Sequence, residues 1–211
     1  MITAGDRTFM SYKDEDSLDD DMISGIAARV APASLVEMQL GNLKLYERIK
    51  LLNPNVKLVL DTGWFDDLCI ENYLDCLTLA DYYTPNRREA MKITDTSTPE
   101  TALDVLAQYF KEPVVKLDKD GCLVKSNGRT IHVPPMANVI QVDSTGAGDA
   151  FLAGFLYGLY HKKTIVECVA YGNVTGGICV QALGCLTARI DEAALLNAAT
   201  PLIAAVKEDR V

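Results

Sequence analysis

Residues 143–155 read Asp143-Ser144-Thr145-Gly146-Ala147-Gly148-Asp149-Ala150-Phe151-Leu152-Ala153-Gly154-Phe155. Two glycines and an alanine stand directly before an apolar run with helical spacing. Small residues let a backbone approach a ligand closely and turn its N–H groups inward. The first turn of the helix adds unpaired N–H groups and a positive dipole end. Gly146, Ala147 and Gly148 therefore make a candidate anion hole, suited to a phosphate whose charge is developing. Asp149, at its mouth, is placed to accept a proton from an attacking hydroxyl. No Gly-Lys-Ser/Thr follows, so this is not a Walker A loop. Taken alone, the stretch also fits a glycine-rich helix entry with Asp149 as an ordinary cap.

On either side of this stretch, strands and helices are expected to alternate. Residues 34–40 read as a strand, 43–52 as a helix, 56–61 as a strand, 67–79 as a helix and 81–84 as a short strand ended by Pro85. Thr98 is expected to cap a helix with Pro99 at its first position, running to Phe110. Strands follow at 113–117, 122–125 and 129–133, the last two joined at Asn127-Gly128, a hairpin signal. Residues 149–160 put Leu152, Phe155, Leu156 and Leu159 on one stripe. Thr164 and Glu167 form a capping box, and Asp191 caps a last helix running to about Lys207. Such alternation predicts an α/β fold with a mainly parallel sheet, helices on both faces, and ligands at the carboxyl ends of the strands.

Composition narrows the function. Lys+Arg 20 against Asp+Glu 29 gives a net charge of −9 over 211 residues. That balance argues against a nucleic-acid or anionic-membrane partner, while leaving room for a local basic pocket. The longest apolar run, residues 150–160, is too short to span a bilayer, and the N-terminus has no apolar signal-like core. Cys69, Cys76, Cys122, Cys168, Cys179 and Cys185 form no Cys-x-x-Cys pair, and His132 and His161 are the two histidines. A zinc site is not expected, and a reduced, cytoplasmic protein is. The acids Asp14, Glu15, Asp16, Asp19, Asp20 and Asp21 read as a solvated loop entering a helix.

As a whole string, residues 143–149 resemble the Asp-Thr-x-Gly-Ala-Gly-Asp signature of the ribokinase-like carbohydrate kinase family (PfkB type), with Ser144 at the usual Thr. Other stretches agree in order. Pro85-Asn86-Arg87-Arg88-Glu89-Ala90 resembles the family's Pro-Asn-x-x-Glu-Ala element, whose Asn and Glu help place Mg²⁺ and phosphate, often through water. Residues 114–121 resemble the strand and turn beside the nucleotide. There Gly121 matches, Lys116 replaces a Thr, and Asp118 replaces a Gly, where it would repel phosphates if it faced them. Lys116 retains the capacity to bind phosphate as a point charge. Residues 173–184 resemble the family's adenine-lining helix and the turn after it, with Asn173 toward the base. Asp143, the Thr145 carbonyl and the backbone near Gly184 belong, by the same resemblance, to a monovalent-cation site.

The resemblance implies a ribokinase-like three-layer α/β/α fold and ATP-dependent phosphorylation of a sugar or nucleoside hydroxyl. Asp149 would be the catalytic base, with ATP, Mg²⁺ and K⁺ as cofactors. The expected partner is a small-molecule acceptor, and a homodimer is among the expected assemblies. Against the family pattern, residues 1–211 correspond to the C-terminal nucleotide-binding and catalytic portion, with residues 1–12 as the remnant of a lid strand. The N-terminal strands and most of the lid are expected to be absent. These 211 residues alone are therefore expected to turn over slowly or not at all, and to self-associate through an exposed sheet edge. Two rival readings stand beside this one: a nucleotide-binding remnant or interaction module that has lost turnover, and a phosphomethylpyrimidine- or pyridoxal-type kinase on the same fold.

Overall fold

The computed structural model describes residues 2–3, 6–7 and 18–208. After a small antiparallel pair, β1 (Ile2–Thr3) and β2 (Asp6–Arg7), the first half alternates helix and strand. It runs α1 (Asp20–Val30), β3 (Leu35–Gln39), α2 (Leu43–Leu52), β4 (Lys57–Asp61), α3 (Ile70–Leu79), β5 (Tyr82–Tyr83), α4 (Arg87–Thr94) and α5 (Pro99–Leu106). Strands β3, β4 and β5 lie parallel in that order. The second half holds β6 (Val114–Lys116), β7 (Cys122–Ser126), β8 (Arg129–Val133), α6 (Ala147–Tyr160), α7 (Ile165–Cys179), α8 (Glu192–Ala204) and β9 (Lys207–Glu208). Strands β6 to β9 pair antiparallel in sequence order. The two sheets meet at a parallel bridge between Asn86 and Lys116, where the Lys116 N–H donates to the Pro85 carbonyl at 2.9 Å.

Side-chain alternation along the strands sorts the molecule into layers. Leu58 and Leu60 of β4, Val115 of β6 and Leu123 of β7 pack into one core with Ile49 of α2, Leu77 of α3, Ile93 of α4 and Leu103 of α5. Their neighbours Val59, Val114, Cys122 and Val124 point the other way, into a second core with Phe151 and Phe155 of α6, Val169 of α7 and Leu202 of α8. A period of two along each strand therefore puts one helical layer on each face. This is the three-layer α/β/α arrangement expected from the sequence. Its sheet has a parallel half, and also an antiparallel half in which β6, β7 and β8 follow one another without intervening α-helices.

Local signals set the helix starts. Asp19 caps α1 by accepting from the Met22 N–H at 2.7 Å, and Asp20 and Asp21 fill the first turn. Asn86 with Glu89 and Thr164 with Glu167 both form reciprocal capping boxes. At the hairpin, Asn127 and Gly128 take φ of +51° and +77°, as a two-residue turn of this hand requires.

Several expected boundaries are corrected. Helix α3 begins at Ile70 rather than at Asp67, whose carbonyl and carboxylate accept from Asn72 and Tyr73. Helix α5 stops at Leu106 rather than Phe110; the Gln108 and Tyr109 N–H groups close tighter i→i−3 turns, and Phe110 enters the core. Helix α8 ends at Ala204 rather than at Lys207, which pairs with His132 in the sheet. Of the expected lid strand, Arg7 lies in β2; residues 8–12 and the acids at 14–16 lie outside the described residues.

Helices α6 and α7 pack backbone to backbone. A Cβ added to Gly154 would meet the Tyr171 carbonyl oxygen at 2.5 Å and Thr175 Oγ1 at 2.4 Å. This close contact locks the middle of α6 against α7.

A second fixed point is Asp81, after α3. Its Oδ2 accepts from Lys50 Nζ at 2.6 Å and from the Leu58 N–H at 2.9 Å, and its Oδ1 from Lys57 Nζ at 2.7 Å. Burial pushes the Asp81 carboxyl up, but these donors outweigh it and hold the group below its ordinary value. A carboxylate depressed in this way stabilises the fold above its unfolded-state pKa, and that contribution is lost as pH falls through the folded-state value. Asp81→Asn is expected to cost about 1–2 kcal/mol at neutral pH and to flatten the acid limb of the stability curve. Urea unfolding at neutral and acidic pH measures both. An unchanged acid limb would remove Asp81 from this role.

Candidate active site

The carboxyl ends of β4, β5 and β6 place Asp61, Asn86 and Lys116 on one rim of the sheet. The N-terminus of α6 arrives at the same rim. Gly146 is its N-cap, in the left-handed region at φ +76°. A Cβ there would stand 2.2 Å from Cys185 Cβ, and Asp149 Oδ2 lies 3.8 Å from the same point. The exposed Asp149 carboxylate is thus folded back over the glycine loop that precedes its own helix. The Ala147 N–H turns to the Ser144 carbonyl, and the helical ladder begins with Ala150 N–H to Gly146 O. The N–H groups of Gly148 and Asp149 have no acceptor one turn back, as in any helix start. Together these groups form an open anion-binding end beside a carboxylate.

Lys116 joins this end to the Asn86–Glu89 element. A Cβ on Gly148 would lie 3.8 Å from Lys116 Nζ, which also sits 5.4 Å from the Phe151 ring centroid. Glu89 is buried, with 8% of its surface exposed. Burial raises its carboxyl pKa, while the Asn86 N–H and the Lys116 charge oppose the rise. Its Oε2 accepts from the Asn86 N–H at 2.9 Å, and Asn86 Oδ1 accepts from the Glu89 N–H at 3.0 Å. Among the described residues no three His, Cys, Asp or Glu side chains gather to hold a metal. One buried carboxylate with an oxygen already hydrogen-bonded suits an ion reached through water, with phosphate oxygens completing its shell.

Asp143 ties two loops together. Its Oδ1 accepts from the Thr145 N–H at 2.9 Å and its Oδ2 from the Gly184 N–H at 3.0 Å. The N–H groups of Val142 and Asp143 both donate to the Val180 carbonyl. The Thr145 and Cys185 carbonyls converge on Cys179 Sγ, at 3.6 and 3.8 Å. The three residues expected at a cation site, Asp143, Thr145 and Gly184, are therefore brought together. Carboxylate and carbonyl oxygens are the donor set that a hard monovalent cation takes.

Gly121 and Asn173 meet at a neighbouring junction. A Cβ on Gly121 would stand 2.2 Å from the Val133 carbonyl oxygen. Asn173 Nδ2 donates to the Val133 and Pro134 carbonyls at 3.3 and 2.8 Å, and Asn173 Oδ1 accepts from Cys122 Sγ at 3.1 Å. The expected base-facing Asn173 thus holds the end of β8 to α7. Burial pushes the Cys122 thiol up to about 12, so it sits there as a neutral donor. Asp118 takes φ +57° and is exposed; a short polar side chain tolerates this left-handed position, where the family pattern has glycine.

The sequence reading missed two features. Ile140, Val142, Leu183 and Leu186 are all strongly exposed, on the two loops that Asp143 joins. Trp64, after β4, lies 5.2 Å below the Arg88 guanidinium of α4. Neither the apolar loop surface nor the Trp64–Arg88 pair has a local sequence signal, because each depends on segments that meet only in space.

The family model described as pfkB family carbohydrate kinase matches residues 11–192. An uncharacterised sugar kinase of Archaeoglobus fulgidus is 36% identical over 102 residues, which cover 48% of this chain and 40% of that protein. The structure of Arabidopsis thaliana ribokinase complexed with ribose and ATP is similar at a TM-score of 0.70 and 27% identity, covering 87% of this chain and 60% of that one. Phosphofructokinase-2 of Escherichia coli in complex with potassium shares the fold at a TM-score of 0.69 and 17% identity, covering 88% and 63%. The chain thus spans less than two thirds of the length of each of these proteins. Among the described residues no helix is long and apolar enough to cross a membrane.

Proposed function

The chain belongs to the pfkB family of carbohydrate kinases, and from that premise we propose that it transfers the γ-phosphoryl group of ATP to a hydroxyl of a sugar or nucleoside. One observation carries the reading: the Asp149 carboxylate lies over Gly146, at a helix N-terminus with acceptor-free N–H groups and the Lys116 ammonium beside it. Phosphoryl transfer asks for little else than positioning and charge stabilisation.

In this mechanism the N–H groups of Gly148 and Asp149 face the transferring phosphoryl group, and Gly146 and Ala147 let it approach the backbone. Asp149 orients the acceptor hydroxyl and takes its proton late, in a loose transition state. Asn86 and Glu89 would hold a hydrated magnesium ion, which when bound neutralises phosphate charge. Asp143 and the Thr145 carbonyl would hold a monovalent cation that sets the shape of the glycine loop. The exposed Ile140, Val142, Leu183 and Leu186 are the apolar surface offered to the nucleobase.

Titrating the 211-residue chain with MgATP, and following transfer of labelled γ-phosphate to a panel of sugars and nucleosides, tests the reading. Binding with transfer to one acceptor class supports it and names that class. Absence of MgATP binding overturns it. The cation gives a second, separable expectation. Exchanging K⁺ for tetramethylammonium should weaken ATP binding or transfer several-fold, and Asp143→Ala should abolish that response. Indifference to the cation, with Asp143→Ala also silent, would leave Asp143 as a loop tie.

A further inference from the structure

We infer that Lys116 is a catalytic cation of this chain, its ammonium contacting the terminal, transferring phosphoryl group of the nucleotide. The inference rests on the kinase reading above and assigns a specific contact within it.

The position is built by the fold. Lys116 ends β6, its backbone pinned to Asn86 and Pro85 on one side and paired with Cys122 on the other. Its side chain runs along the Phe151 ring, with Nζ 5.4 Å from the centroid, which steadies an ammonium without neutralising it. Nζ is the nearest atom over Gly148, inside the anion-binding end. Four other lysines have carboxylate partners: Lys50 and Lys57 bind Asp81, Lys125 binds Asp104, and Lys163 approaches Glu167. Lys116 has no ion pair and no side-chain hydrogen bond among the described residues, although it is half-buried. Three N–H donors on a fixed cation, beside acceptor-free helix N–H groups, suit an anion from outside the chain.

The step balances as follows. The acceptor oxygen forms a bond to the γ-phosphorus, and its proton passes to the Asp149 carboxylate. The bond from the γ-phosphorus to the bridging oxygen breaks, and its electron pair stays with ADP. Lys116 keeps its proton throughout and stabilises the charge spread over the equatorial oxygens of the moving group.

Calorimetric titration with MgADP and with the magnesium complex of β,γ-imido-ATP tests the assignment. Lys116→Met is expected to lose about 10- to 100-fold in affinity for the triphosphate analogue while its affinity for MgADP stays within about twofold. Lys116→Arg keeps the charge and should recover most of the loss. Lysine acetylation footprinting of the wild-type chain needs no variant: the triphosphate analogue should protect Lys116, and MgADP should not. Equal losses for both nucleotides, no loss for either, or a Lys116 that acetylates at the same rate with the analogue bound each overturn the contact while leaving the kinase reading standing. A wild-type chain that binds neither nucleotide overturns the kinase reading and this assignment together.

Discussion

In a kinase that carries the acceptor-binding portion together with these 211 residues, phosphoryl transfer by the Asp149→Asn variant is expected to fall by about 10²–10⁴ relative to its parent, with ATP affinity changed by no more than about threefold. The amide has nearly the same shape as the carboxylate and keeps the side chain where it is, over Gly146. What it loses is the capacity to take the acceptor proton. Asp149 is exposed and lies in the first turn of α6, so the variant also loses a favourable interaction with the helix dipole. That interaction is worth about 0.3–1 kcal/mol, too little to unfold the chain. Initial rates with a saturating acceptor, beside an ATP titration and a thermal melt, separate the two effects. A variant with near-wild-type turnover would falsify Asp149 as the base and return it to the role of a helix-start residue.

Gly146→Ala should be a strongly damaging single-methyl change at the glycine loop. Alanine at φ +76° costs about 1–2 kcal/mol in the left-handed region. The new Cβ would also stand 2.2 Å from Cys185 Cβ and 3.1 Å from Cys185 Cα, and overpacking of that kind costs about 1–3 kcal/mol more. The expected loss in unfolding free energy is about 2–5 kcal/mol. ATP affinity should fall with it, because the glycine loop and the 180–185 turn separate. Adding Cys185→Gly removes the nearest contact and should restore part of the packing loss, while the backbone strain remains. Urea unfolding of the single and double variants reads both parts. A stable, ATP-binding Gly146→Ala single variant would mean that the loop is not held as the structure has it.

Much of the fold was legible because its signals are local. Helix α2 fills residues 43–52 as its spacing predicts. The Thr164–Glu167 capping box, the Thr98 and Asp191 caps and the Asn127-Gly128 hairpin all work through hydrogen bonds or dihedral angles spanning a few residues. The elements misjudged are those settled by distant partners. Lys207 carries enough helical context to read as the end of α8, yet it pairs with His132 of β8. Phe110 lies within helical spacing of Leu106 and its N–H still donates to the Leu106 carbonyl, yet the helix has already ended in the tighter turns at Gln108 and Tyr109. Asn86-Arg87-Arg88-Glu89 carries part of the family resemblance, but the sequence did not disclose that it opens a full helix whose Glu89 is buried beside Lys116.

The chemistry divides in the same way. Residues 143–149 determined, without help from the rest of the chain, that a glycine loop enters a helix with an acid in its first turn, because small residues and helix starts act over one turn. They also carried the family resemblance. Only the tertiary structure decided what surrounds that loop. It brought Lys116 over Gly148 from a strand some thirty residues earlier. It used Asp143 to join Thr145 to Gly184, and it set Asn173 to holding the end of β8. A charge or a hydrogen bond has an effect only where its partner lies within a few ångströms, and for these residues the partner's place is set by how strands order and helices pack. Sequence spacing does not encode that order, so the residue types could be named in advance while their neighbours could not.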